Sequence, residues 1–500
     1  MSSPREACGV YGVFDSQHGS ILPYLYWGLL SQNHRGQQSY GFLTFDTSFH
    51  NYSMLGLVPR MKRHKLRRHI AELPGSVGIA NVRYSTSGQT NPHALMLDTQ
   101  PYLYECPEVK LAISYNGNVV NVAELRKEIS EKLGTTATTA DSELICKKIC
   151  LGIIAGHSMA EAVRTCLEEV EGAYSVVGIT ERGELFAFRD RLGIKPLCLG
   201  SSEDGGLFAF SSETVGLDIN DFNHNMLMVE PGELVTVTES GVRRERLLDS
   251  RRKALCAFEF AYFSRPDSLL NGASKYVYEA RTSFGRNLAL LAVRNGIANQ
   301  IDCVVPVPET SEDAAYGFHA ELNLPLERAI RRHRFVTDRA FITLPHERQG
   351  ILGKKMNVLG DRLKGKRIAL IDDSIVRGDT TNSIIEKLRS SGVKDVHVFI
   401  TFPKIVSPCF YGIDMATYKE LIGSFHSPED VTKLIGADSV TYQPIEDFVA
   451  ATGLTENDLC MACITSNYPT PLAQRLADEA RERLLKGETE TGRVYEAIAR

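Results

Sequence analysis

The sequence predicts a chain of two unlike halves: packed strands with helices between them, an α+β arrangement, followed by an α/β half with a parallel sheet. To about Val242 the chain consists of short apolar runs separated by Gly, Asn, Asp and Ser, the rhythm of strands in packed sheets. Ile368–Ile371 is instead a continuous apolar run, the mark of a strand buried on both faces. And 500 residues exceed what one hydrophobic core organises, so two or three domains are expected.

In the first half the strand candidates are Ser76–Asn81, Lys110–Tyr115, Ala173–Ile179 and Leu207–Phe210, with Met159–Glu169 as a helix between two of them. The arginine-rich stretch Arg243–Lys253 reads as a linker. In the second half Cys303–Val305 is a short strand candidate. After Ile368–Ile371, Thr380–Arg389 places Ile384, Ile385 and Leu388 on one helical face, and Gly392 is placed to stop it. Val396, Val398 and Ile400 then alternate as the next strand. Strand, helix, strand at this spacing is a βαβ unit, hence a parallel sheet. Pro471–Arg500 carries Leu472, Leu476, Ala480 and Leu484 on a charged background and reads as an amphipathic helical tail.

Bulk composition excludes several classes of function. A net charge of -5 gives no nucleic-acid footprint. No apolar run approaches the roughly 20 residues of a membrane span, and Met1–Ala7 lacks the apolar core of a signal peptide. Eleven cysteines without an export signal point to thiols, metal ligands or a nucleophile rather than disulfides. The expected compartment is the cytoplasm.

Cys8, in Ala7-Cys8-Gly9-Val10-Tyr11-Gly12-Val13, admits two readings: a buried thiol, or a nucleophile. If Met1–Ala7 are cut away, Cys8 gains a free α-amine titrating near pH 8, a local base for its own thiol. Asn33-His34-Arg35-Gly36-Gln37, Val82-Arg83-Tyr84-Ser85-Thr86-Ser87-Gly88, Tyr115-Asn116-Gly117-Asn118 and Ala140-Asp141-Ser142-Glu143 follow in order. With the cysteine, these segments resemble the glutaminase domain of class II glutamine amidotransferases, an N-terminal-nucleophile αββα sandwich. The resemblance implies Cys8 as nucleophile, with the Asn116 side chain and the Gly117 backbone N–H as oxyanion donors. It gives Arg83 to the α-carboxylate of glutamine and Asp141 to its α-ammonium. Taken singly, Arg83 and Asp141 would be surface ion pairs and Asn116-Gly117 a hairpin turn. Two positions depart from the family pattern: Ala80-Asn81 stand where Gly-His is usual, and Tyr115 where His is usual.

The second constellation is Arg367-Ile368-Ala369-Leu370-Ile371-Asp372-Asp373-Ser374-Ile375-Val376-Arg377-Gly378-Asp379-Thr380-Thr381. A buried strand ends in two adjacent carboxylates, and a loop of small and hydroxyl residues then opens a helix. Ligands of parallel sheets bind at such carboxyl ends. Asp372 and Asp373 suit two ribose hydroxyls and help organise Mg²⁺. Ser374, Gly378, Thr380 and Thr381, at a helix N-terminus, suit a 5′-phosphate; an acidic turn with a helix cap is the ordinary alternative. The stretch resembles the phosphoribosyl pyrophosphate (PRPP) signature of type I phosphoribosyltransferases. That resemblance extends to Pro306-Val307-Pro308-Glu309-Thr310-Ser311, with Thr310 at a metal-ligand position. It extends also to a catalytic loop over Arg334–Ile342 and Arg348–Asn357, in which Arg339, Lys354 and Lys355 would meet the polyphosphate. In that loop Phe335 replaces Tyr, Thr337-Asp338 replace a single Gly, Ala340 replaces Thr, and Gly353 stands where a basic residue is common.

Cys256, Cys409 and the pair Cys460-Met461-Ala462-Cys463 form a third feature. One CxxC is compatible with zinc, redox chemistry or chance. The surrounding segments Cys256–Asp267, Pro408–Asp414 and Cys463–Thr470 resemble the iron–sulfur subgroup of amidophosphoribosyltransferases, close to the Bacillus-type enzymes. The resemblance implies that these four thiolates bind a 4Fe-4S cluster; zinc would accept the same four. The other six cysteines read as structural.

The resemblance runs from about Glu6 to Thr470 and implies a whole architecture: a propeptide (1–7), a glutaminase domain (8–245), a phosphoribosyltransferase domain (246–445), and a cluster-binding segment with a helical tail (446–500). The activity it implies is transfer of glutamine-derived ammonia to PRPP, giving 5-phosphoribosylamine. Purine nucleotides are the expected inhibitors and a homotetramer the expected assembly. Two rivals remain at this point: a sugar-phosphate aminating enzyme, against which Asp372-Asp373 argues, and a catalytically weak paralogue that senses PRPP or nucleotides.

Overall fold

The computed structural model describes residues 8–84, 92–250, 252–270, 275–333, 356–488 and 490. Two antiparallel sheets make up the first half. One has seven strands, in spatial order His224–Met228, Cys198–Ser201, Leu207–Ser211, Gly9–Asp15, Val77–Arg83, Ser39–Phe45 and Phe49–Leu55. The other has six: Gly241–Arg246, Glu233–Thr238, Leu185–Arg189, Gly172–Thr180, Val109–Val119 and Tyr102–Cys106. Val10, Phe14 and Ile79 of the first sheet meet Ala112, Val177 and Val235 of the second in one apolar layer. The first sheet's other face is covered by the helix Leu22–Ser31. The second sheet's is covered by Val122–Leu133, Asp141–Ile154 and Met159–Glu169. Helix, sheet, sheet, helix is the αββα sandwich. Met159–Glu169 has the span the sequence predicts, because Ser158 and Glu161 close a reciprocal capping box at its start.

The second half is built on a parallel sheet in the order Cys303–Pro306, Arg367–Asp372, Asp395–Ile400, Ser439–Tyr442. Alternate residues feed two cores. Ile368 and Leu370 pack with Ile384, Ile385 and Leu388 of the helix Asp379–Ser390. Ala369 and Ile371 pack with Leu288 and Phe318, from the helices Val277–Arg294 and Glu312–Leu322. Burial on both faces is why the strand reads as an unbroken apolar run.

Arg243–Lys253 corrects the sequence reading. Its first residues belong to the strand Gly241–Arg246, paired along Glu233–Thr238, with Arg244 on Glu233 at 2.6 and 2.9 Å. An exposed edge strand tolerates a run of charge, and that charge masked the strand pattern. The chain end is tied back into the core. Leu459–Cys460 pairs in parallel with Leu255–Cys256. The helix Pro471–Leu485 buries Ala473, Leu476 and Ala477 in the same cluster as Tyr115. Its first-turn amides of Leu472 and Ala473 donate to Glu171 at 2.7 and 3.2 Å, an anion placed at the positive end of a helix.

Candidate active sites

Cys8 stands at the start of the central strand Gly9–Asp15, buried, with its Sγ 3.6 Å from the Tyr84 carbonyl oxygen. Burial pushes its thiol up; the positive charges of Arg83, Lys195 and Arg35 oppose that rise. Arg35 explains the His34-Arg35 motif. Its Nε donates to the Cys8 carbonyl at 3.2 Å, and its terminal nitrogens grip Glu259 at 2.7 and 3.0 Å and also hold Glu213. Burial alone would raise Glu213, but His34 and Arg35 hold it well below the usual carboxylate range. Burial likewise works against Glu259, and Arg35 brings it down.

Arg83 ends the neighbouring strand Val77–Arg83. It is no surface residue: it is buried, 3.2 Å from Asp98. Asp98, which no sequence motif marks, also accepts the Thr139 amide at 2.8 Å and its hydroxyl at 2.6 Å. Asp141 begins the helix Asp141–Ile154; its carboxylate accepts the Val119 amide at 2.9 Å and the Tyr115 hydroxyl at 3.4 Å. Asn116-Gly117 is not a turn. Both lie inside the strand Val109–Val119, where a Cβ on Gly117 would sit 2.0 Å from the Ala173 oxygen. Asn116 is fully buried, and neither atom of its amide has a hydrogen-bond partner among the described residues. The two positions that depart from the pattern touch: the Asn81 amide donates to the Tyr115 carbonyl at 3.1 Å, across the two sheets.

In the parallel sheet Asp372 closes the strand Arg367–Asp372, and Asp373 follows it; both are buried. Asp373 accepts the hydroxyl of Ser374 at 2.6 Å and that of Thr310. Asp372 accepts the Asp373 amide at 2.9 Å and the Thr381 hydroxyl at 3.5 Å. Burial and the adjacent charge push Asp372 well up, and burial raises Asp373. The buried Arg281 acts on Asp373 through its charge and partly opposes that rise, but neither carboxylate forms a direct ion pair among the described residues. Buried acids held by hydroxyls, with no cation in direct contact among the described residues, suit a bound cation or ribose hydroxyls. Gly378, at φ +85°, makes the turn into the helix Asp379–Ser390, with Thr380 and Thr381 in its first turn. Arg339, Lys354, Lys355, the substituted positions 335, 337, 338, 340 and 353, and Met1–Ala7 lie outside the described residues.

The four cysteines set apart by the sequence converge. Cys256 and Cys460 are register partners. The Cys409 and Cys463 thiols are buried in the same apolar cluster, and Cys463 feels the charge of the other three. Burial pushes Cys256 up to about 12 and raises Cys460 and Cys463. Among the described residues no group of three or more His, Cys, Asp or Glu side chains is spaced to hold a single metal ion. Zinc at about 2.3 Å from each sulfur needs four thiolates in one tight shell. A four-iron cluster takes each thiolate on a different iron, so its donors stand farther apart. Four buried thiols are the donor type that either group takes.

Known proteins give the same picture. A family model described as a glutamine amidotransferase domain matches residues 91–218. The amidophosphoribosyltransferase of Methanothermobacter thermautotrophicus is 35% identical over 480 residues, covering 95% of this chain and 97% of that protein. The chain belongs to the amidophosphoribosyltransferase family. The Synechocystis amidophosphoribosyltransferase is 36% identical, covering 93% of this chain and 91% of that one. A solved glutamine PRPP amidotransferase from B. subtilis, complexed with ADP and GMP, superposes with a TM-score of 0.82 at 32% identity, over 93% of this chain and 98% of that one. The amidophosphoribosyltransferase fold, an N-terminal-nucleophile sandwich followed by a type I phosphoribosyltransferase domain, is therefore the fold of this chain. As an amidophosphoribosyltransferase it is a glycosyltransferase with glutamine amidotransferase activity, and it serves the first step of purine synthesis. The sensor reading is not favoured.

Proposed function

We propose that the two constellations divide the reaction as follows. Freed of residues 1–7, Cys8 attacks the carboxamide carbon of glutamine, and its α-amine carries the thiol proton to the departing nitrogen, which leaves as ammonia. Water then hydrolyses the γ-glutamyl thioester to glutamate. Arg83 takes the α-carboxylate, Asp141 the α-ammonium, and Asn116 with the Gly117 N–H the oxyanion. Ammonia passes inside the protein and attacks C1 of PRPP. The bond to pyrophosphate breaks, giving 5-phosphoribosylamine.

Asp372 and Asp373 hold the ribose hydroxyls, and Ser374, Gly378, Thr380 and Thr381 hold the 5′-phosphate. Arg339 and Lys355 meet the pyrophosphate. Mg²⁺, held through Thr310, Asp372 and Asp373, supplies positive charge to the leaving group when bound. Cys256, Cys409, Cys460 and Cys463 hold a 4Fe-4S cluster that fastens the C-terminal segment to the start of the second domain. The single observation that best supports this reading is Asn116: a fully buried amide with no hydrogen-bond partner among the described residues, on the sheet that faces the one Cys8 opens.

Purine nucleotides are the proposed inhibitors, by analogy with the ADP and GMP of the B. subtilis structure. Exposed Leu290, Val293 and Tyr316 on two adjacent helices support self-association, for which a homotetramer is the proposed form. Among the described residues no helix is long and apolar enough to cross a membrane. None of the eleven cysteines is joined in a disulfide, in keeping with work in the cytoplasm.

The test is pyrophosphate and phosphoribosylamine release in the presence of Mg²⁺ and PRPP, with glutamine or with ammonium as nitrogen source. Cys8→Ser is expected to abolish the glutamine-driven reaction, by roughly 10³-fold or more, and to leave the ammonium-driven one. Release that responds to neither nitrogen source would overturn the proposal.

A further inference from the structure

Lys195 lies in the turn between the strands Leu185–Arg189 and Cys198–Ser201, and the mechanism above makes no use of it. Its side chain is fully buried, and its Nζ has no hydrogen-bond partner among the described residues. The backbone fixes where it stands. The Cys256 amide donates to the Ile194 carbonyl at 3.1 Å, and the Ser175 hydroxyl donates to the Lys195 carbonyl at 3.0 Å. The turn is thus bonded to the residue that opens the four-cysteine site. The ammonium points at the loop of another of those cysteines. A Cβ on Gly412, three residues after Cys409, would lie 3.4 Å from the Lys195 Nζ and 3.4 Å from the Gly117 carbonyl oxygen. Its charge acts on the buried thiols of Cys256 and Cys460, and also on Cys8.

An ammonium taken out of water without a partner costs several kcal/mol, so an anion must face it. Glu259 feels its charge but is already bonded to Arg35 at 2.7 and 3.0 Å and to Ser264 at 2.6 Å. Burial disfavours the thiolate of Cys8. The remaining anion is whatever the four cysteines bind. An iron–sulfur cluster with four thiolates is a net anion rich in sulfur acceptors.

We propose that Lys195 is the counter-cation of the group held by Cys256, Cys409, Cys460 and Cys463, donating hydrogen bonds to its sulfur atoms. This rests on the reading of those cysteines as a cluster site. It makes Lys195 a positioning residue, placed between that site and the strand of Asn116 and Gly117.

Iron and acid-labile sulfide in the anaerobically purified full chain come first. A chain that takes up no iron sinks the cluster reading and, with it, the anion assigned to Lys195. With the cluster present, Lys195→Met is expected to shift its reduction potential negative, because the reduced cluster is the more anionic form and loses its cation. Lys195→Arg, which keeps the charge, is expected to stay near the parent. A loaded Lys195→Met protein with an unchanged potential overturns the role of Lys195 and leaves the cluster standing. Failure of both variants to load, in folded protein, also overturns it, since shape rather than charge would then be required. If neither variant folds, pulsed EPR of the reduced parent protein labelled with ¹⁵N-lysine decides. A coupled lysine nitrogen is expected, and its absence overturns the proposal.

Discussion

The proposed glutamine site and the proposed phosphoribosyl site are assembled in opposite ways. The first draws Cys8, Arg83 and Asn116 from three strands of two sheets and Asp141 from the start of a helix, and its charges are largely paired inside the protein: Arg83 with Asp98, Arg35 with Glu213 and Glu259. The second comes mostly from one stretch, 372–381, where a strand hands over to a helix, and its two acids form no direct ion pair among the described residues, Asp373 feeling only the charge of Arg281. The first site has its electrostatics built in. The second leaves a charge for its ligand to complete.

That contrast can be broken experimentally. The largest effect is expected at Asn116. Asn116→Ala should lower glutamine-dependent kcat by about 10²–10³-fold, the scale of one lost oxyanion donor, with the ammonium-driven rate unchanged. Steady-state assays with both nitrogen sources check it; an equal fall in both would place Asn116 outside the glutamine chemistry. Asp373→Asn should cut both rates, by about 10²-fold or more, since misplacing the ribose costs that much. A loss confined to the glutamine reaction would contradict the division of labour.

Stability tests the pairing. Glu259→Gln leaves Arg35 with one buried carboxylate fewer and should cost about 3–5 kcal/mol, read from denaturant unfolding. The pH dependence follows from the same ion pairs. Arg35 lowers the folded-state titration of Glu213 and Glu259. Their contribution is therefore complete above the ordinary glutamate value of about 4.3 and is lost as pH falls through the lowered folded values. The parent should lose stability on acidification below about pH 4.3, and Glu259→Gln should flatten that limb. An acid limb identical in the two proteins would show that the carboxylate is not ionised in the fold. The smallest effect belongs to Tyr115→Phe. Its hydroxyl reaches Asp141 only at 3.4 Å, while the Val119 amide at 2.9 Å remains. A change in KM for glutamine worth less than about 1 kcal/mol is expected. A larger one would make this substituted position a true part of the pocket.

The contiguous site was the legible one. Ile368–Ile371 announces its own burial, and Asp372-Asp373 sit where any parallel sheet presents a ligand to its strand ends. In the sandwich the motif residues could be named, but their partners could not. Asp98, Glu213 and Glu259 carry no local signature, because what matters about them is which arginine they meet after 15 to 224 residues of intervening chain. Lys195 is likewise an ordinary turn lysine until the fold strips its water away. Arg243–Arg246 was read as a linker because an edge strand needs no apolar face toward solvent.

Local patterning therefore determined the two architectures and the order of the chemical motifs, since periodicity and motif spacing act over a few residues at a time. Only the tertiary structure decided which buried charges are neutralised within the chain and which are left for a ligand. Those pairings depend on strand order and on exclusion of solvent, and neither is written in any short segment.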